Sequence, residues 1–194
     1  MLLKGVAEIN LRDTRNKIIK GLYNHMGIMV VPQEQIPEKP KYPYLAYKFI
    51  VPYNQFAHQG NYTEKLVPSN NNRFEYDVEE TLELQPQMTL SISAYCKGEE
   101  DGEMIAQETA IKAMQWFKHV GYQELSDINV VVVSIEAFGD RSTLMVDDYE
   151  HRIGFDVILR TTDSIRRRLE TMEDIKIKGV MKGVDRGTFR FAFN

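Results

Sequence analysis

The sequence has little that would make it a secreted, membrane or redox protein. Among its 194 residues the single cysteine is Cys96, which excludes an intramolecular disulfide and suits a reducing cytoplasm. No apolar run approaches the ~18 residues that a membrane helix needs. The opening stretch MLLKGVAEINLRD has too short an apolar segment and too mixed a charge for a signal peptide. The chain is therefore expected to stay where it is translated. A basic excess is also missing: the net charge of −4 gives no overall case for nucleic-acid binding.

What is present is ordinary in amount and uneven in placement. Hydrophobic content of 43% and charged content of 27% fit a globular chain with one core and room for an appendage. From Phe74 to Glu103 the acids are Glu75, Asp77, Glu79, Glu80, Glu83, Glu99, Glu100, Asp101 and Glu103, against Lys97 alone. From Ser164 the balance reverses, led by Arg166, Arg167 and Arg168. Such asymmetry can steer one copy's tail toward a neighbour's acidic face, or it can mark two separately solvated surfaces.

Periodicity sets the expected elements. NLRDTRNKIIKGLYNHMG opens with Asn10 as N-cap and closes at Gly27, with Leu11, Ile18, Leu22 and Met26 near helical spacing. Prolines 32, 37, 40 and 43 then stop any helix. Leu45, Tyr47, Phe49 and Val51 alternate as a strand. Residues 52–73 are polar and rich in Asn, Gly and Pro, and predict a long loop. RFEYDVEETLELQ predicts an acid-faced strand. In MTLSISAYC the residues Met88, Leu90, Ile92, Ala94 and Cys96 share one face. A second helix is expected after it, with Ile105, Ala106, Thr109, Ala113, Met114 and Phe117 as its stripe, Trp116 beside them and Gly121 at the close. INVVVVSIEAF predicts a buried strand, GDRSTLMVDD a turn or short loop, and YEHRIGFDVILRTT a strand with Ile153, Phe155, Val157 and Leu159 on one face.

The fold class expected is α+β: a mostly antiparallel sheet with two helices packed on one face, a long loop and a C-terminal extended arm. The expected domains are 1–163, with loop 52–73 inserted, and 164–194 as extension or arm. The arm holds too few apolar residues for a second core; a short helix at its start is one reading. TFRFAF near its end alternates Phe189, Phe191 and Phe193 with smaller or polar residues. A strand of that kind needs a sheet to join, its own or another chain's.

Candidate chemistry centres on VDDYEHRIGFDVILR, residues 146–160, which gathers Asp147, Asp148, Glu150, His151 and Asp156. Metal ligands must converge within ~2.0–2.6 Å of one ion, and consecutive strand residues point apart. The plain reading is a polar lead-in to a core strand, with Asp156 solvated or paired with Arg160. His25, His58, His119 and His151 show no HExxH or HxE spacing. His25 and His119 fall near helix C-termini, where an imidazolium suits the dipole. Cys96 faces the core and has no CxxC partner, as a small buried hydrophobe would. GVMKGVDRGTF lacks a phosphate-loop pattern, and GEEDGE lacks the ligand spacing of a calcium loop. The Arg166–Arg168 triplet has no interleaved aromatics and is followed by Glu170, Glu173 and Asp174, which favours a solvated helix face or a subunit contact. No catalytic, metal or cofactor residue is assigned on these grounds.

YPYLAYKF, QPQMTLSISAY, the WF pair closing the second helix and DDYEHRIGFDVILR together resemble the neck or tail terminator proteins of tailed bacteriophages, over about residues 10–162. The resemblance implies a structural virion protein, not an enzyme, made in the host cytoplasm and without cofactor. It implies a ring of six copies in the neck that ends tail-tube growth and joins the tail to the head connector. Implied partners are itself, the tail tube protein, a head completion or connector protein and the sheath protein, with no membrane and no sequence-specific nucleic acid. Two alternatives stay open: a small metal- or nucleotide-binding enzyme using the 147–156 carboxylates, and an assembly chaperone absent from the finished particle. Subunit-interface candidates are Glu75, Asp77, Glu79, Arg166, Arg167, Arg168, Phe189, Phe191 and Phe193. The acidic 74–83 strand and the basic tail are expected to meet between subunits, so that reversing the three arginines to glutamate weakens the ring.

Overall fold

In the computed structural model the described residues are 9–34, 39–55, 60–98, 100–144 and 149–170. The chain divides into two units, Met1–Gly60 with Glu83–Ser164, and Asn61–Leu82 with Ile165–Asn194. Among the described residues no helix is long and apolar enough to cross a membrane.

The first unit is the α+β layer that the sequence predicts. Helix α1 (Leu11–Met26) starts where the Asn10 side chain accepts the Asp13 N–H, 3.0 Å away. It stops at Gly27, whose φ of 68° is left-handed and costs glycine nothing. It buries Ile18, Leu22 and Met26, and His25 stands in its last turn. Strand β1 (Val30–Pro32) follows and runs parallel to β2 (Tyr44–Asn54). Strand β3 (Asn61–Pro68) and most of β4 (Tyr76–Leu84) are in the second unit. Strand β5 (Gln87–Lys97) returns to the first and pairs antiparallel with β2, Leu45 opposite Ala94 and Tyr47 opposite Ile92.

Helix α2 (Gly102–Gln115) runs into a π-helical turn, Trp116–Val120, and then helix α3 (Tyr122–Asp127). Strand β6 (Val130–Asp140), the two-residue β7 (Thr143–Leu144) and β8 (Tyr149–Thr161) complete the sheet, and β9 (Asp163–Glu170) ends the described chain. The six-stranded sheet runs β1-β2-β5-β8-β6, with β7 also on β8. Met88, Leu90, Ile92, Ala94 and Cys96 from β5 and Ile153, Phe155, Val157 and Leu159 from β8 are buried in one cluster with side chains of all three helices. Burying a Val, Leu, Ile, Phe or Met side chain is worth about 1.5–3 kcal/mol, so this face holds the unit together.

Several expectations need correction. Among the described residues there are three α-helices, because YQELSD after Gly121 makes a short helix of its own. The buried stripe of α2 is Ala106, Ala110 and Ala113, while Ile105 is exposed; small side chains bring this helix close to the sheet. Strand β6 is an edge strand with Val131 and Val133 exposed, so its apolar run does not mark burial on both faces. Residues 52–73 are not one loop: β2 extends to Asn54 and β3 occupies Asn61–Pro68. The basic triplet lies on strand β9, not on a helix. Phe189, Phe191 and Phe193 lie outside the described residues.

Candidate functional site

Among the described residues, polar side chains collect in two places, one in each unit. In the first unit they lie on the back of the six-stranded sheet, opposite the helices. The register stacks them in cross-strand rows: Tyr44, Tyr95 and Arg152, then Ala46, Ser93 and Gly154, then Lys48, Ser91 and Asp156. In the first row the Tyr44 and Tyr95 rings stack at 4.9 Å and the Arg152 guanidinium lies 5.4 Å from the Tyr95 centroid. Burial, followed by the nearby Glu150 charge, pushes the Tyr44 hydroxyl pKa up, so this row stays neutral at the tyrosines. Glu150 accepts the Tyr42 hydroxyl and pairs with Lys39 at 3.2 Å.

The small middle row has a use. A Cβ on Gly154 would meet the Ile92 carbonyl oxygen and Ser93 Oγ at 2.8 Å and Arg141 Cδ at 3.1 Å. The missing side chain lets Arg141 cross β8, donate to Ser91 Oγ at 2.7 Å and reach Asp156 at 3.0 Å. Asp156 thus pairs with Arg141 and not with Arg160. Four residues along a strand span about 13 Å, beyond the reach of an ion pair, whereas Arg141 arrives from the next segment. A buried polar group, Asp163, accepts the Ile9 N–H at 3.2 Å and the Tyr53 hydroxyl at 3.0 Å.

Among the described carboxylate and imidazole groups of 146–160, Glu150 and Asp156 share one face of the strand six residues apart and His151 lies on the other. Glu150 and Asp156 face the back and are engaged by Tyr42, Lys39 and Arg141. His151 faces the other way, opposite Cys96, which is buried in the core. Asp147, Asp148 and His58 lie outside the described residues. Among the described residues no group of three or more His, Cys, Asp or Glu is placed to hold a metal ion.

The second unit carries the other set. Ser69 N–H donates to the Glu75 carbonyl at 3.0 Å and Thr63 Oγ1 reaches the Thr81 carbonyl at 3.5 Å. These contacts set β3 and β4 as an antiparallel hairpin, and β9 pairs on the far side of β4. Asp77 and Glu80 are buried. Arg168 Nε donates to Asp77 Oδ2 at 2.6 Å, and Arg167 donates to Glu80. Arg168 also donates to the Pro68 carbonyl. Asp77 and Glu80 of the acidic strand thus meet Arg168 and Arg167 inside one chain, so reversing these two arginines is expected to weaken this sheet as well as any contact with a neighbour. Glu75 and Arg166 are exposed and Glu79 is half-buried. Sequence periodicity could not find these pairs, because the partners stand 87 and 91 residues apart.

The pairs are expected to make the hairpin pH-sensitive. The Ser69 hydroxyl and then Arg168 hold Asp77 below its ordinary value of 3.8. Arg167 and then Tyr62 hold Glu80 below its ordinary 4.5. A carboxylate depressed on folding contributes stability above its unfolded value and loses it as pH falls through the folded one. Hydrogen exchange in residues 61–82 should therefore show less protection below pH 3.8 than near neutrality, after correction for intrinsic rates. Equal protection at both would refute the role of the pairs.

A family model described as phage neck terminator protein matches residues 16–184. No curated protein matches the chain.

Proposed function

Because the chain belongs to the phage neck terminator family, structural proteins of the phage neck, we propose that it assembles into a six-membered ring that caps the tail tube, ends its growth and joins the tail to the head connector. The supporting observation is the extent of the match, from α1 to residue 184, which takes in described parts of both units. The ion pairs Arg141–Asp156, Lys39–Glu150 and Arg167–Glu80 support a scaffold role, because engaged carboxylates and arginines brace strands and are not poised for proton transfer. The partners in this reading are further copies of the chain, the tail tube protein, a head completion or connector protein and the sheath, and the protein resides in the virion after synthesis in the host cytoplasm. Subunit contacts are proposed to come from the second unit, with Glu75, Glu79 and Arg166 at the rim, Phe189, Phe191 and Phe193 in the arm, and Asp77, Arg167 and Arg168 holding the strands that carry them.

Closed rings arise when a head-to-tail contact repeats through a rotation that closes, and a ring matched to a tube end blocks further addition. Polymerising purified tail tube protein with and without this chain tests the reading. Added chain should shorten the tubes and leave a density on one end only. Tubes of unchanged length with bare ends would contradict it.

A further inference from the structure

We propose that one face of the β3-β4-β9 sheet is the surface on which a second copy of this chain docks. This rests on the ring reading and names the contact that such a ring would use. The hairpin contacts place Tyr62, Leu66, Tyr76 and Val78 on one face, because residue 63 stands opposite 81 and 69 opposite 75. The Arg167–Glu80 pair puts the odd-numbered side of β9 on that same face, together with Ile165 and Leu169, and the Arg168–Asp77 pair lies on the other.

Five of these side chains, Tyr62, Leu66, Tyr76, Ile165 and Leu169, are between 42% and 62% exposed. A small sheet draws its stability from a covered apolar face, and here the apolar face is open. Half-exposed side chains of this size present roughly 400 Å² of apolar surface, as much as the largest patch on a typical monomer. That is about half of what one partner contributes to a standard protein interface, ~800 Å²; a rim of polar strand residues supplies the remainder.

The charges on this face fit a protein occupant. Glu80 is paired with Arg167, and Glu64 accepts the Tyr62 hydroxyl at 3.0 Å. The Glu80 carboxylate, with burial and Glu64, pushes the Tyr62 hydroxyl up to about 12, so that it stays a neutral donor. Covering the face thus buries these charges with partners in place, which limits the desolvation cost. The Arg167 guanidinium on this face is already engaged by the Glu80 carboxylate, which disfavours a phosphate-bearing partner. A second copy is the occupant because a ring seats every copy on the next through a head-to-tail seam, and this exposed apolar face, a liability if left uncovered, is suited to form one side of that seam.

The test compares the 194-residue chain with a Leu66→Asp, Ile165→Asp double variant by native mass spectrometry, with circular dichroism to check folding. Both sites are more than half exposed, so the fold should persist. The parent chain should assemble and the folded variant should fall to monomer, with at least a tenfold weaker association. An assembled variant would overturn the docking face and leave the ring reading standing; a parent chain that is monomeric throughout would overturn both. Hydroxyl-radical labelling of the parent chain gives a second measurement independent of variant folding. Tyr62 and Leu66 should label several-fold more slowly at assembling concentrations than on dilution. Labelling that does not change with concentration would assign the face to solvent or to the chain's own 171–194 segment, and would also overturn the proposal.

Discussion

Replacing Trp116 with alanine should lower the stability of the first unit by about 3–5 kcal/mol, the cost of removing a fully buried aromatic. The indole is 1% exposed and meets the Phe117 ring edge-on at 4.8 Å. The π-helical turn at Trp116–Val120 follows directly from α2, and both members of the WF pair are buried in it. The indole also fills space that two glycines leave. A Cβ at Gly21 would lie 2.7 Å from its ring, and one at Gly121 would lie 2.4 Å from it. Gly121→Ala is therefore expected to destabilise as well, by about 1–3 kcal/mol from overpacking. Gly121 has φ of −83°, so backbone strain does not confuse the result. Because the added methyl occupies space that the indole vacates, the double variant should be less damaged than the sum of the two single ones. Denaturant melts of the three variants and the parent check this. Simple additivity would mean that the glycine and the ring do not share that space.

Deleting the gene from its phage should reduce infective titre by orders of magnitude, with complementation by the intact chain restoring it. The physical basis is that a tube without a stop keeps adding subunits while they last, and a head without its joining ring has nothing to hold a tail. Lysates should show overlong tubes beside full heads that carry no tails. Tails of normal length joined to heads in the deletion lysate would assign termination and joining to another protein.

The elements that could be read from sequence were those whose neighbours imposed one clear face. Strand β5 alternates cleanly because helices cover one side and the tyrosine and serine rows lie on the other. Helix α1 announced both ends through Asn10 and Gly27. Strand β3 was hidden for the opposite reason: seven of its eight residues are exposed, so no alternation of burial marks it. Strand β9 was hidden because three consecutive arginines suit a solvated helix as well as a strand. Only the long-range pairs with Asp77 and Glu80 explain why a basic strand lies beside an acidic one. The Arg141–Asp156 pair was missed since the gap at Gly154 that admits the arginine has no signature in periodicity. What the sequence did convey about 146–160 was that neighbouring residues of the strand point apart, and the register of β8 places Glu150 and His151 on opposite faces accordingly.

If this chain works as a closed ring of identical copies, electron micrographs of the purified 194-residue protein should show annular particles of one diameter with six-fold averages. Particles of single-copy size at every concentration, with no annuli, would refute the ring.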